Sequence, residues 1–186
     1  MSVLNSNNTL AIGGPPLITE PKIQRRKQQN YVARRIAVPI PFGKYLQPAW
    51  NEVYEWMMDR KIRPSGPAII RYLTTDMSKE MNIDVGFTID KAVKGDERIT
   101  SDFLTSGHYA TLLYTGPYEG QGIFKATVAL LDWAKDNKIK WDTSRKKGVE
   151  WWNGRVEYYF SDPATEKDPQ KFKTELAFLV KEKTKK

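Results

Sequence analysis

Glu55-Trp56-Met57-Met58-Asp59-Arg60-Lys61-Ile62 returns 77 positions later as Asp132-Trp133-Ala134-Lys135-Asp136-Asn137-Lys138-Ile139. Acid-Trp, Asp and Lys-Ile keep their spacing in both copies. Upstream, Tyr31-Val32-Ala33 matches Tyr109-Ala110-Thr111, and Pro39 matches Pro117, at an offset of 78. Two copies of one supersecondary unit is the economical explanation. Two are too few for a solenoid, so the copies are expected to pack against each other.

Each copy has the same coarse plan. Residues 30–38 and 108–115 alternate as strands and end in Pro/Gly turns. Leu46, Trp50, Val53 and Met57 recur at helical spacing, as do Ile123, Ala126, Leu130 and Trp133. Two strands follow each helix: Ala68–Leu73 and Asn82–Ile89, then Arg155–Phe160 and Thr174–Val180. In the second of these, Ile83, Val85, Phe87 and Ile89 alternate with Asn82, Asp84, Gly86 and Thr88, the pattern of a half-buried strand. The plan predicts an α+β fold: two pseudo-symmetric strand–helix–strand–strand repeats in an antiparallel sheet, helices on one side, with a cleft between repeats. Residues 21–180 form the domain, with repeat one over about 28–92 and repeat two over about 105–180. Residues 1–20 read as a loose tail and 181–186 as a basic tail. Residues 140–150 and 161–171 read as long surface connections.

Composition narrows the function. A chain of 186 residues allows one domain or two small fused units and buries a real core. With no Cys there is no disulfide, thiol nucleophile or Cys-based metal site, and the single His108 excludes a multi-His metal site. No metal and no cofactor are expected. No apolar run reaches the length of a membrane span, and the first 17 residues lack a signal peptide's basic start and apolar core. A soluble cytoplasmic protein, with no membrane partner, is the expectation.

The net charge of +8 is uneven. Residues 21–35 carry Lys22, Arg25, Arg26, Lys27, Arg34 and Arg35 with no acid, and residues 181–186 carry four Lys and Glu182, so the body is close to neutral. Excess charge at the ends reads as solvated termini. Direct nucleic-acid binding needs a basic face interleaved with stacking rings and is not expected.

Ser106-Gly107-His108-Tyr109-Ala110 followed by Tyr114-Thr115-Gly116-Pro117-Tyr118-Glu119 resembles the central motif of the GyrI-like small-molecule-binding domain. That domain is also the effector-binding half of AraC- and MerR-type regulators. Gly66-Pro67-Ala68-Ile69-Ile70-Arg71-Tyr72 is similar to its first-repeat strand, and Ile83-Asp84-Val85-Gly86-Phe87 to its acid-x-Gly strand. Glu157-Tyr158-Tyr159-Phe160-Ser161-Asp162-Pro163 is similar to its Glu-x-Tyr-x-x-Asp-Pro segment, and Thr174-Glu175-Leu176 to its final Thr-Glu strand. The resemblance covers about residues 20–180. It implies a ligand cleft between the units, lined by rings and holding a buried glutamate, for lipophilic, often cationic, aromatic compounds. It also implies that a stand-alone member either regulates or shields a target or hydrolyses cyclopropane-containing DNA-alkylating natural products. Tyr114 stands where many relatives carry His before Gly-Pro-Tyr, which removes His-dependent chemistry there.

The residues argue for the same site on their own. Period two puts Arg155, Glu157 and Tyr159 on one face of their strand, and Val156, Tyr158 and Phe160 on the other. Glu175 shares a face with Ala177 and Leu179. A carboxylate among rings is costly to desolvate and its pKa rises; a bound cation relieves that cost and gains cation–π attraction. Glu157 beside Arg155 also reads as an ion pair on a solvated face, worth little. Tyr31, Trp50, Tyr54, Phe87, Tyr114, Tyr118, Trp151, Trp152 and Tyr159 are the ring candidates, with Glu157 and Glu175 the acids. Trp56 and Trp133, equivalent in the repeat, read as packing residues, and His108 as a surface or structural residue.

Three functions compete. The first is a binding module that captures lipophilic, aromatic or cationic compounds as sensor or sequestering protein, signalling to a separate regulator or protein partner. The second is a hydrolase with Glu157 as catalytic general base. The third is an interaction module whose basic ends dock an acidic partner. The same acid serves the first two, so enzymatic activity is left open, and the first is preferred.

Overall fold

The computed structural model describes residues 17–76 and 80–182. Strands β1 (Leu17–Ile18), β2 (Lys22–Arg26) and β3 (Gln29–Val38) precede helix α1 (Gly43–Asp59), which is followed by β4 (Ala68–Tyr72) and β5 (Met81–Ile89). Then come β6 (Thr100–Leu104), β7 (Gly107–Thr115), helix α2 (Gly122–Asp136) and the hairpin β8 (Thr143–Lys146) and β9 (Val149–Trp152). Strands β10 (Arg155–Tyr159) and β11 (Lys173–Leu179) follow and are the last described elements. All pairings are antiparallel, in the order β1-β7-β11-β10-β4-β5-β3-β6, with β2 beside β7. The fold is α+β, a nine-stranded antiparallel sheet carrying two helices among the described residues.

Three cross-strand rows show what the helices cover. Val85, Ile70, Glu157, Leu176 and Leu112 lie side by side across β5, β4, β10, β11 and β7. Phe87, Ala68, Tyr159, Thr174 and Tyr114 form the next row. On the far side of the first row, Arg155 pairs with Phe178, beside Tyr72 on β4. Helix α1 packs Ala49, Leu46 and Trp50 over Ile70, Tyr72, Ile83 and Val85, while Val53, Trp56 and Met57 cover Val32 and Ile89. Helix α2 packs Ala126 and Leu130 over Ala110, Leu112, Leu176 and Phe178. Both helices therefore sit on one face of the sheet, α1 over β3, β4 and β5, and α2 over β7 and β11. Burying such apolar stripes is what stabilises helices of this length.

The two helices end alike. Lys61 and Lys138, 77 positions apart, both adopt φ of 56°. Ile62 N–H donates to Met57 O at 2.9 Å and Ile139 N–H to Ala134 O at 2.8 Å, closing the last turn in the same way. Trp56 is a packing residue: it is 2% exposed, its indole N–H reaches Asp96 at 2.6 Å, and Arg60 lies over its ring.

The other face carries no α-helix among the described residues, yet Tyr31, Ala33, Ile69, Tyr109, Val156, Tyr158 and Ala177 on it are all at most 5% exposed. Curvature buries them. Strand β2, beside β7, reaches β3 through residues 27 and 28 alone, and β6, beyond β3, reaches β7 through residues 105 and 106 alone. Three Cα steps span at most about 11 Å, so the two edges of the sheet are drawn together and the helix-free face becomes an interior. Gly86 on β5 belongs to that interior: a Cβ there would strike the Val32 carbonyl and stand 2.6 Å from Ala33 Cα. Gly86→Ala should cost about 1–3 kcal/mol by overpacking, read as a lowered denaturant midpoint with unchanged m-value.

Three expectations are corrected. Of the tail expected over 1–20, Leu17–Ile18 pairs with Tyr114 and Thr115, while residues 1–16 lie outside the described residues. Residues 140–150 form most of a hairpin instead of a surface connection, because Lys147 and Gly148, both at positive φ, turn β8 onto β9. The charge of 21–35 belongs to the sheet and not to a loose terminus: Arg26, Arg34 and Arg35, on β2 and β3, pair with Glu175, Glu52 and Asp84, while Lys22, Arg25 and Lys27 are exposed. At the C-terminus, Lys181 N–H bonds to Lys140 O, and residues 183–186 lie outside the described residues. No helix among the described residues is long and apolar enough to cross a membrane.

Candidate functional site

Strand β10 lies at the centre of the sheet between β4 and β11, with α1 on one side and α2 on the other. Its odd-numbered residues face the helices, so Glu157 stands in the seam between them. It is 4% exposed, which removes the reading of a solvated ion pair. The Tyr159 hydroxyl donates to Glu157 Oε2 at 2.7 Å. Burial pushes the Glu157 carboxyl above the usual range, opposed by hydrogen bonds from Tyr159 and Tyr72 and by the charge of Arg155. The phenols of Tyr72 and Tyr159 are raised in turn, first by burial and then by the carboxylate.

Rings gather at one end of this seam. Trp50 of α1 meets Tyr159 edge-on at 5.3 Å, and Tyr118, from the loop before α2, meets Tyr159 at 5.1 Å. Phe172, before β11, lies 4.6 Å from Tyr118. On the same side of the sheet Tyr54 and Phe87 meet each other at 6.1 Å, and Tyr54 is 47% exposed. Tyr118 is fixed by Ser161, donating to its carbonyl at 2.6 Å and accepting from its N–H at 3.1 Å. The result is a row of contacting rings beside α1, with the Glu157 carboxyl bonded to the central one, Tyr159. Offset and edge-on pairs of this kind contribute about 0.5–1.5 kcal/mol each beyond their buried area.

The structure brings together Glu157, Trp50, Tyr118 and Tyr159, leaves Tyr54 and Phe87 as a pair of their own, and separates the other candidates. Glu175 lies on the opposite face of the sheet, 2.6 Å from Arg26, which rests over the rings of Tyr158 and Tyr109. Tyr31 also lies on that face, fully buried, donating to Asp84 at 2.7 Å and accepting from Arg71 at 2.6 Å. Tyr114 faces α2; its ring lies where a Cβ on Gly122 would fall, and its hydroxyl donates to Pro117 O at 3.1 Å. Trp152 packs with Trp141 and Phe178 at the far end of the seam, and Trp151 stacks under Lys146 on the hairpin. His108 is half exposed beside Glu182.

Tyr72, Phe172 and Arg155 join the site without having been singled out as ligand contacts. Tyr72 was within reach of the sequence, since Ile70 and Tyr72 share a face by period two; Phe172, outside any strand, gave no signal. The Arg155 guanidinium lies 4.6 Å from the centre of Phe178, 4.9 Å from Trp152 and 5.3 Å from Tyr72. Burial lowers its pKa from the ordinary arginine value. Two grooves of about 510 and 410 Å³ open on the helix-free side: Arg26, Tyr109 and Tyr158 border one, Lys22, Phe160 and Glu175 the other. Neither contains Glu157. No cluster of three or more His, Asp or Glu among the described residues could hold a metal.

Solved structures share this architecture. The chain superposes on EcmrR in a cryo-EM complex with DNA with a TM-score of 0.73 at 17% identity, covering 88% of this chain and 58% of that one. The EcmrR C-terminal domain gives a TM-score of 0.66 at 20% identity, with coverage of 88% and 98%. SAV2435 bound to tetraphenylphosphonium gives 0.55 at 14% identity, with 88% and 94%. Compared with curated proteins, the sequence matches none. The family described as GyrI-like small molecule binding domain matches residues 19–181, nearly the whole described chain. The chain belongs to the GyrI-like small-molecule-binding domain family.

Proposed function

We propose that the protein captures lipophilic aromatic compounds, cations among them, in the ring-lined groove beside Glu157. The observation that carries this reading is a carboxyl 4% exposed at the centre of the sheet, bonded to Tyr159, whose ring is flanked by Trp50 and Tyr118. A guest whose aromatic groups pack between these rings exchanges edge contacts for its own faces. It comes within reach of a negative charge that burial has made costly. The matching helix ends and the strand order, β3-β5-β4 against β7-β11-β10, support a duplicated unit whose junction is this seam. Occupancy is passed to a separate regulator or protein partner. Arg26, Arg34 and Arg35 are engaged within the domain, which supports leaving nucleic-acid binding out of the proposal.

Tetraphenylphosphonium, the ligand of SAV2435, is a suitable probe. Calorimetric titration should show one site, and Trp50→Ala should weaken it about tenfold, the worth of one favourable ring–cation contact. Binding unchanged in both Trp50→Ala and Tyr118→Ala would place the ligand elsewhere and end this reading.

A second reading keeps the site and adds chemistry, and the raised carboxyl of Glu157 favours it. Glu157 takes a proton from water as the water oxygen bonds to a strained cyclopropane carbon. The ring C–C bond breaks toward an activating carbonyl, and the enolate is protonated from solvent. Multiple turnovers of a spirocyclopropane alkylator to its water adduct, lost in Glu157→Gln, are the expected result; binding without turnover leaves the binding module alone.

A further inference from the structure

Strands β2 and β3 run as one line against β6 and β7. Residues 22–26 pair with 111–107 and residues 29–33 with 104–100, all in one register. The ladder is interrupted at residues 27 and 28, opposite 105 and 106. At that interruption the interior of the curved sheet reaches the surface through the groove of about 510 Å³ that Arg26, Lys27, Gln28 and Gln29 border. Its volume is that of a small-molecule site. It lies on the face opposite Glu157 and shares no lining residue with the rings around Tyr159.

The floor of this groove is apolar and its rim is rich in donors. Leu104, Tyr109 and Tyr158 are at most 5% exposed, and the Arg26 guanidinium lies over the two rings, 5.8 and 5.2 Å from their centres. Glu175 at 2.6 Å and Gln24 at 3.2 Å both accept from Arg26 Nη2. A guanidinium carries five N–H donors, so these bonds engage one nitrogen of three. Glu175 does not border the groove; Asp90 is the one acid that does among the described residues, against Arg26 and the exposed Lys27. Behind the wall, Ser65 N–H donates to Thr88 O at 2.8 Å, and the Thr88 hydroxyl is buried with no hydrogen-bond partner among the described residues. That hydroxyl stands 2.8 Å from where a Cβ on Gly66 would fall. A dry, unpaired hydroxyl is costly, and a guest with acceptor oxygens would satisfy it.

We propose that this groove is a second ligand site, separate from the seam, for small aromatic carboxylates. The guest's ring packs on Leu104, Tyr109 and Tyr158, and its carboxylate takes the unengaged donors of Arg26 with Lys27 beside it. Arginine suits this role because its planar fork meets a carboxylate with two parallel bonds. The site is independent of the reading given for Glu157, and the two stand or fall separately.

The experiment is a calorimetric titration of the full chain with 2-naphthoate and with 2-naphthamide, its uncharged counterpart. The wild type should bind one naphthoate, at least about tenfold more tightly than the amide, the worth of one charge-assisted hydrogen bond. Arg26→Lys keeps the charge beside Glu175 but loses the fork, and should weaken naphthoate about tenfold. Lys27→Met, at an exposed position, should weaken it about threefold, and Thr88→Val, which keeps the shape, by a similar factor. Trp50→Ala should leave naphthoate within about twofold, since that ring belongs to the other face. Absence of naphthoate binding, or equal affinity for both probes, overturns the inference in the wild type without any variant. So does naphthoate affinity that is unchanged in Arg26→Lys, Lys27→Met and Thr88→Val alike. Loss of naphthoate in Trp50→Ala would place the carboxylate in the seam and overturn it too.

Discussion

Asp84→Ala should lower the melting temperature by about 10 °C, the largest loss expected for a single substitution on the helix-free face. Asp84 is completely buried inside the curved sheet. Its Oδ1 accepts from Arg35 Nε at 2.7 Å, and its Oδ2 accepts from Arg35 Nη2 at 2.9 Å and from the Tyr31 hydroxyl at 2.7 Å. Arg71 bonds to the same hydroxyl at 2.6 Å and to Asp102 at 3.1 Å, which closes a network of two arginines and two aspartates. Removing one partner of a buried charge pair costs about 3–5 kcal/mol. Here Arg35, 44% exposed, turns to water while the Tyr31 hydroxyl is left dry without its acceptor, so the lower end, about 3 kcal/mol, is expected. For a chain of this size 1 kcal/mol moves the midpoint by about 2–4 °C. Tyr31→Phe removes only the bridging hydroxyl and should cost about 1–2 kcal/mol. Thermal unfolding of both variants checks the order; equal losses would mean that Asp84 acts by filling space.

Glu157→Gln should weaken tetraphenylphosphonium binding about thirtyfold and that of triphenylphosphine oxide, an uncharged probe of similar shape, less than threefold. Truncating one member of a buried charge contact costs about 2 kcal/mol or more, a factor of about thirty in affinity. Equal losses for both probes would remove electrostatics from the groove. The same residue gives a signed pH dependence. Burial raises its carboxyl in the folded state above the unfolded value of about 4.3. Between those two values the native protein binds the proton more tightly than the unfolded chain. The stability this contributes is complete below the unfolded value and is lost as pH rises through the folded one. Glu157→Gln cannot ionise, so its stability relative to wild type should improve as pH rises through that window. Phosphonium binding to wild type should strengthen over the same interval, while oxide binding stays flat.

Most of the elements were legible, and the reason is periodicity. The alternation in β5 and the helical spacing of Trp50, Val53 and Met57 report burial that the sheet and α1 supply. The pairing of Glu157 with Tyr159 was legible for the same reason, since residues two apart on a strand share a face. The relation of Glu157 to Glu175 was not. Each strand's alternation is visible alone, but which faces coincide depends on register, and Glu157 pairs with Leu176, one residue away from Glu175. That single step sends the second acid to the opposite face. Strand β2 was obscured because Lys22, Gln24 and Arg26 are polar residues on the face that turns inward, where Arg26 meets Glu175. Arg155 was read as a surface partner for Glu157 because nothing local shows that Trp152, Phe178 and Tyr72, drawn from three separate strands, converge on it.

The last strand in sequence is an inner strand of the sheet. Until β11 is in place between β7 and β10, each of those has a bare hydrogen-bonding edge in the middle of what becomes the core layer. A nascent chain therefore cannot zip its sheet progressively from the N-terminus; it must wait for residues 173–179 to emerge and then insert them. Folding dominated by such remote pairings is slow, and the interval leaves sticky edges available to other chains. Synthesis that stalls shortly before Lys173 should accordingly yield aggregates instead of a shortened but usable domain.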